Sequence, residues 1–208
     1  MLKHKQFLSA LIFVILLSCS AELEVIERQA GLDYQGQTYR MVKIGNQTWM
    51  AENLNYNVKG SACYDNLAAN CAIYGRLYDW ETALTVCPPG WHLPSDDEWL
   101  ALELFIGRDS AATRLKTTNY WSEEGDYKPG TDIYGFSALP GGYGIWYNDA
   151  AEEDSFESLG TYGLWWTSTG ISNVRACSRQ MWNKEWRVGV PVDGMLKLGM
   201  FSVRCMRN

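Results

Sequence analysis

Beyond Cys19 the sequence holds one histidine, His92, and five cysteines, Cys63, Cys71, Cys87, Cys177 and Cys205, so its reactive inventory is narrow. His92 has the group needed for general-base work, but it stands between Trp91 and Leu93 in a loop entering a helix, where a hydrogen-bonded structural role is expected. Zinc needs closely spaced thiolates or imidazoles, and neither a CxxC nor an HxxxH pair is present. The cysteines read instead as bridges formed in an oxidising compartment. Cys63 and Cys71 bracket the polar, turn-forming run Tyr64-Asp65-Asn66-Leu67-Ala68-Ala69-Asn70, which brings their thiols together. Cys87 and Cys205 make the best second pair, closing the domain from an early helix to the last strand, and Cys177 is left over.

Hydrolysis by paired carboxylates needs two acids facing one bond, and the sequence offers many acids without singling out two. The run Glu152-Glu153-Asp154 reads as a solvated loop. With Asn148, Asp149 and Glu157 it supplies oxygen donors of the kind calcium takes, so Asp149, Glu152 and Asp154 are the calcium candidates and no other cofactor is expected. Ten tryptophans suggest recognition by flat rings instead. Tyr143, Trp146 and Tyr147 fall in a long loop, and Trp165 and Trp166 are neighbours on one strand, where one ring is exposed if the other is core. These five are the candidate ligand-binding residues, while Trp49, Trp80, Trp91 and Trp99 are expected to fill the core.

The elements that must position them are short. Residues 38–44 and 47–50 form a hairpin turned by Gly45-Asn46. Leu77, Trp80, Leu84 and Cys87 recur at helical spacing, predicting a helix over 77–86 that Pro88-Pro89-Gly90 ends. Ser95-Asp96-Asp97-Glu98 is a capping box opening a second helix, with Trp99, Leu102 and Phe105 or Ile106 on one stripe and Gly107 as its stop. Strands are expected over 164–169, 174–182, 186–190 and 200–205, joined by long loops. The class is α+β, with two early helices and a mainly antiparallel sheet.

The N-terminus predicts export. Lys3, His4 and Lys5 precede an apolar stretch, residues 7–17, that spans only about 16 Å as a helix, too short for a hydrocarbon core of roughly 30 Å. Leu16-Leu17-Ser18-Cys19 resembles a bacterial lipobox, so residues 1–18 read as a signal peptide and Cys19 as the lipidated residue anchoring the chain to a membrane. Ser20 in place of an aspartate favours outer-membrane delivery, and Glu22, Glu24 and Glu27 resemble a surface-export signal. Residues 19–33 are then the lipidated N-terminus and tether, and 34–208 a single domain. The net charge of −6 becomes −6 − 2 = −8 once Lys3 and Lys5 are removed, which argues against nucleic acid as a partner.

Six blocks carry a specific resemblance. They are Ile44-Gly45-Asn46-Gln47-Thr48-Trp49-Met50-Ala51-Glu52-Asn53-Leu54-Asn55-Tyr56, Tyr74-Gly75-Arg76-Leu77-Tyr78, the run from Cys87 through His92 to Trp99, Gly135-Phe136-Ser137-Ala138-Leu139-Pro140-Gly141-Gly142, Trp165-Trp166-Thr167-Ser168-Thr169, and Phe201-Ser202-Val203-Arg204-Cys205. In order and spacing they resemble the Fibrobacter succinogenes major paralogous domain, from about Tyr34 to the end. The resemblance implies an exported, often lipid-anchored bacterial surface domain, in a family without an assigned activity. A fainter similarity, resting on Leu93-Pro94-Ser95-Asp96-Asp97-Glu98-Trp99 and the closing Val203-Arg204-Cys205, is to the formylglycine-generating-enzyme and C-type-lectin-like architecture, and implies that fold.

The functions of that second group do not carry over by motif. Its oxidase chemistry needs a close cysteine pair, whereas Cys177 and Cys205 stand far apart. Its calcium-dependent sugar binding needs a Glu-Pro-Asn or Gln-Pro-Asp loop, absent here, and Trp182-Asn183-Lys184 puts a cation where a carboxylate belongs. The expectation is a non-catalytic, lipid-anchored binding or adhesion module at the outer membrane or cell surface, recognising polysaccharide or an envelope protein through its aromatic residues. The alternatives are a hydrolase with an unfamiliar carboxylate site and a structural envelope component.

Overall fold

A computed structural model describes residues 27–145 and 155–208, with side chains from residue 31. Cys19 and its lipobox, together with Trp146, Tyr147, Asn148, Asp149, Glu152 and Asp154, lie outside the described residues. The described residues begin with an antiparallel meander of β1 (Glu27–Tyr34), β2 (Gln37–Ile44) and β3 (Gln47–Met50), so this strand starts within 19–33, the stretch expected as a tether. The turn between β2 and β3 is the expected one, with Gly45 at a left-handed φ of +59°. Alternation along β2 sets up two cores. Val42 and Ile44 join Trp49 on one side of the sheet, while Tyr39 and Met41 join Met50 on the other.

Next come β4 (Ser61–Ala62), α1 (Ala68–Tyr74), β5 (Leu77–Tyr78) and α2 (Trp80–Ala83). The helix expected over 77–86 is therefore corrected. Leu77 and Tyr78 are extended, buried and paired on both sides, and only one turn after them is helical. Asp79 makes the switch, its carboxylate accepting the Thr82 N–H at 2.7 Å as the cap of α2. After β6 (Trp91–His92), α3 (Asp96–Ile106) starts on the expected capping box, with the Ser95 hydroxyl accepting from the Glu98 amide at 3.2 Å and the Glu98 carboxylate from the Ser95 amide at 2.8 Å. Trp99, Leu102 and Ile106 are buried and Phe105 is exposed. The short α4 (Ala111–Leu115) packs against α3.

The second half supplies β7 (Tyr143–Ile145), β8 (Ser155–Glu157), β9 (Tyr162–Gly170), β10 (Arg175–Trp182), β11 (Met195–Leu196), β12 (Gly199–Ser202) and β13 (Met206–Arg207). The expected strands at 164–169 and 174–182 are present as β9 and β10. That at 186–190 is replaced by a single bridge from Gly189 to Gln180, and that at 200–205 is a strand only to Ser202, the end of β12, with residues 203–205 irregular before β13. Strands β12 and β13, on either side of residues 203–205, enter different sheets, in the orders β11-β10-β9-β12-β5-β4 and β1-β2-β3-β13-β6, with β7 on β12 and β8 on β7. Every ladder is antiparallel except β12 with β9. The result is a loop-rich α+β fold with two antiparallel-rich sheets.

Strand β9 lies between the two cores. Trp165 packs against Trp99 in one, and Leu164 and Trp166 fall in the other, with the Trp166 ring 4.1 Å from that of Phe201. Two disulfides fasten the frame, Cys63–Cys71 and Cys87–Cys205, with Cα–Cα distances of 5.0 and 5.9 Å, and among the described residues Cys177 is the free thiol.

Candidate functional site

A polar groove crosses the face where β2, the segment after β3, α1 and two loops meet. Its larger section, about 660 Å³, is lined by Gln37, Glu52, Asn55, the Cys63–Cys71 bridge and Arg76. A second section of about 300 Å³ shares the Glu52, Ile73 and Leu139 walls and adds Arg40, Asn119, Tyr120, Asp132 and Ser137. Another trough, about 740 Å³, is edged by the exposed Val174, Leu196 and Leu198 near α2 and lacks a comparable convergence of hydrogen-bonded side chains.

The acids of the groove are anchored by neighbouring donors. Glu52 accepts the Arg40 guanidinium Nε at 2.7 Å on one oxygen and the Arg40 backbone N–H at 3.0 Å on the other. Asp132 accepts the Ser137 N–H at 2.7 Å and the Ser137 hydroxyl at 2.8 Å. Burial pushes the Asp132 carboxyl above the usual carboxylate range, against the lowering effect of those two bonds and of Arg204. Arg76 has no carboxylate partner among the described residues. It donates to the Ser61 hydroxyl at 2.9 Å and to the sulfurs of Cys63 and Cys71 at 3.5 and 3.7 Å. The groove thus presents one guanidinium free of an ion pair, two anchored acids, amides and a ring.

Beneath it lies a buried polar network. Asn53 Oδ1 accepts the Trp165 indole N–H at 2.9 Å and Arg204 Nη2 at 2.8 Å, while its amide nitrogen donates to the Tyr74 carbonyl at 2.9 Å. Arg204 also donates to the carbonyls of Phe136 and Ser137, and its guanidinium lies 4.3 Å from the Phe136 ring centre. Complete burial pulls the Arg204 guanidinium down to about 9, with Asp132 and then Glu52 pulling the other way. The Asn53 amide and the Arg204 cation therefore join the segment after β3, the Ser137 loop and the stretch between β12 and β13 into one floor.

The backbone of the rim is strained. Tyr120, Asp132 and Ser137 all line the smaller section with left-handed φ values of +71°, +45° and +55°. Such conformations cost on the order of 1–3 kcal/mol each outside glycine and gather at ligand clamps. The Tyr120 ring is half exposed and packs edge-on against Tyr74, with centres 6.0 Å apart.

Of the ligand-binding residues proposed from sequence, the three described ones, Tyr143, Trp165 and Trp166, do not line the groove. Trp165 and Trp166 are both completely buried, which corrects their assignment as ligand-binding residues: β9 has a core on each face, so neither ring reaches solvent. Tyr143 is half-buried on β7, its hydroxyl donating to Glu157 at 2.5 Å and pushed up to about 12 by burial and that carboxylate. Trp146 and Tyr147, like the calcium candidates Asp149, Glu152 and Asp154, fall outside the described residues. His92 does not line the groove. Its Nδ1 meets Asn208 Oδ1 at 2.6 Å and its Nε2 meets Glu98 at 3.0 Å, so both nitrogens are tied. Burial raises the Glu98 carboxyl, but the Ser95 amide and hydroxyl and His92 together hold it below the usual range. Asn183 is buried and donates to the Ser122 carbonyl at 2.9 Å, a structural role for the Trp-Asn pair.

The Fibrobacter succinogenes major domain profile matches residues 42–207. The chain belongs to that family. No curated protein and no solved structure matches it. In this Fibrobacter succinogenes major domain the motif blocks converge on the groove and its floor. Glu52 and Asn53 come from the first, Arg76 from the second, Ser137 and Leu139 from the fourth, Trp165 from the fifth and Arg204 from the sixth. The third block supports them at one remove, through Trp99 against Trp165 and Cys87 bridged to Cys205. Arg40, Glu52, Arg76, Tyr120 and Asp132 were not singled out from sequence. The available signal was the polar run Glu52-Asn53 directly after the apolar end of β3, inside a motif block.

Proposed function

We propose that the protein is a non-catalytic binding or adhesion module that takes polysaccharide in the Glu52–Tyr120 groove, displayed from a lipid-anchored Cys19 at the outer membrane or cell surface. The observation that carries the reading is the strained rim. Three non-glycine residues with left-handed backbone line one open trough, and one of them holds a half-exposed tyrosine ring over it. A ring beside amides and fixed carboxylates suits a sugar, whose apolar face stacks while its hydroxyls exchange hydrogen bonds. The anchored state of Glu52 and Asp132 favours binding over hydrolysis, because both oxygens of each acid are already engaged. The basic and apolar N-terminal run and the Leu16-Leu17-Ser18-Cys19 motif support the lipid anchor. The helix entered through Leu93-Pro94-Ser95 and the buried closing Val203-Arg204-Cys205 support a C-type-lectin-like or formylglycine-generating-enzyme-like arrangement.

Binding of the protein to an array of plant and bacterial polysaccharides, with and without calcium, tests the proposal. Saturable binding weakened at least about fivefold by Tyr120→Ala or Glu52→Ala, with thermal unfolding still cooperative, is the expected result, since a stacked ring contributes about 1 kcal/mol or more. Binding untouched by both variants removes the groove from the reading. No binding to any glycan removes polysaccharide. One observation favours the hydrolase alternative, the raised Asp132 carboxyl beside Glu52 in the same cleft. Turnover of glycosides that is lost in Asp132→Asn would establish it.

A further inference from the structure

The Cys63–Cys71 bridge differs from Cys87–Cys205 in where it sits and what surrounds it. Both of its cysteines line the wall of the larger section of the groove, at 8% and 6% exposure. The Arg76 guanidinium donates to both sulfurs, at 3.5 and 3.7 Å, and has no carboxylate partner among the described residues. A cation at that distance favours a thiolate over a thiol, and a better thiolate is a better leaving group in disulfide exchange. The loop closed by the bridge carries Asp65 and Asn66 in succession at φ +53° and +55°, a conformation that opening the bridge releases. In the other bridge Cys205 is fully buried between β12 and β13, and Cys87 is partly buried against the same core.

We propose that Cys63–Cys71 is a thiol–disulfide exchange site, that its partner is a dithiol reductant, and that Arg76 is the residue that makes it labile. A thiolate of the reductant attacks one cysteine sulfur. The S–S bond breaks, and its electron pair leaves on the other cysteine as a thiolate beside Arg76. The second thiol of the reductant, once deprotonated, attacks the mixed disulfide, closes the reductant into its own disulfide and releases the second cysteine. Two electrons pass to the protein, and the two protons of the dithiol go to the cysteines or to solvent. Reduction frees α1, whose Ala68, Cys71, Ala72 and Ile73 form one wall of the groove. The exchange site stands on its own geometry, whatever occupies the groove.

The test is a titration of the folded protein with reduced and oxidised dithiothreitol, followed by alkylation and peptide mass spectrometry, with hydrogen exchange of residues 63–74 read on the same samples. Cys63 and Cys71 are expected to alkylate at a dithiol ratio at least about tenfold below that needed for Cys87 and Cys205, with faster exchange confined to their segment. Arg76→Met should raise the required ratio by about tenfold and Arg76→Lys by less, since the charge is kept. Asp65→Gly/Asn66→Gly, which accepts the left-handed turn without strain, should also raise it while leaving Arg76 in place. Simultaneous opening of both bridges, or identical ratios for the parent, Arg76→Met and the double glycine variant, overturns the proposal.

Discussion

Removing each bridge in turn separates their contributions to stability. Cys87→Ala/Cys205→Ala deletes a crosslink spanning 118 residues, and Cys63→Ala/Cys71→Ala one spanning 8. If a disulfide acts by restricting the unfolded chain, the loop-entropy relation gives about 4.9 kcal/mol for the long loop and about 2.5 kcal/mol for the short one at 25 °C. Native-state terms widen the gap. Cys205 is fully buried and Cys63 and Cys71 nearly so, so either loss leaves a void worth a further ~1 kcal/mol, but opening the short loop also relaxes Asp65 and Asn66 and returns part of its loss. The expected losses are therefore about 5–6 and about 2–3 kcal/mol, against a typical domain stability of about 5–15 kcal/mol. Urea unfolding of both variants at one pH, with fluorescence of the buried tryptophans as the probe, measures them. The long-loop variant should also show a larger m-value, because its unfolded chain exposes more surface. A short-loop variant that loses as much stability as the long-loop one, or more, refutes the reasoning.

Two further predictions concern the core. Lys116 is fully buried, its ammonium donating to the carbonyls of Lys128, Trp182 and Glu185 at 2.7, 3.2 and 3.3 Å, and burial pulls it down to about 8. An unfolded lysine titrates near 10.4, so between those values the unfolded chain binds more protons, and this group alone makes stability rise with pH by up to about 3 kcal/mol. Urea unfolding at pH 7.5 and 9.5 should show the parent gaining on Lys116→Met across that window, and a constant difference between the two refutes the assignment. Trp166→Ala should cost about 3–5 kcal/mol through the cavity it leaves against Phe201. A loss under about 1 kcal/mol in thermal or urea unfolding would contradict its place in the core.

What was legible in the sequence was local. The Gly45-Asn46 hairpin and the Ser95–Glu98 capping box are set by neighbouring residues, and both appear where the residue types put them. The spacing of Leu77, Trp80 and Leu84 misled because a short strand, a capping aspartate and one helical turn in succession imitate a longer helix. Trp165 and Trp166 misled for a related reason. Alternation assigns one face of a strand to solvent only when the strand has one core, and the unbroken apolar run Leu164-Trp165-Trp166 was the sign of two. The groove was legible only in fragments. Its walls come from β2, the segment after β3, α1, residues 117–120 and residues 132–139, whose meeting depends on the chain end threading between the sheets.

That threading explains the buried arginine. The segment joining β12 to β13 runs through the middle of the molecule, its carbonyls at Val203 and Cys205 accepting the Leu54 and Met50 amides at 2.8 and 3.0 Å. Its side chain at 204 lies among three acceptors, Asn53 Oδ1 and the carbonyls of Phe136 and Ser137, all away from water. An apolar side chain there would fill the volume and leave two carbonyls unsatisfied, each costing on the order of 1–3 kcal/mol. A lysine would reach them as a point charge without the planar fork that Asn53 and the two carbonyls engage from different sides. Burying the guanidinium carries its own desolvation penalty, which the hydrogen bonds, the Phe136 ring and the nearby Asp132 offset only in part. What that expense secures is position: one side chain fixes the strand end that bears Glu52 and the loop that bears Ser137, the two supports from which the rim of the groove is built.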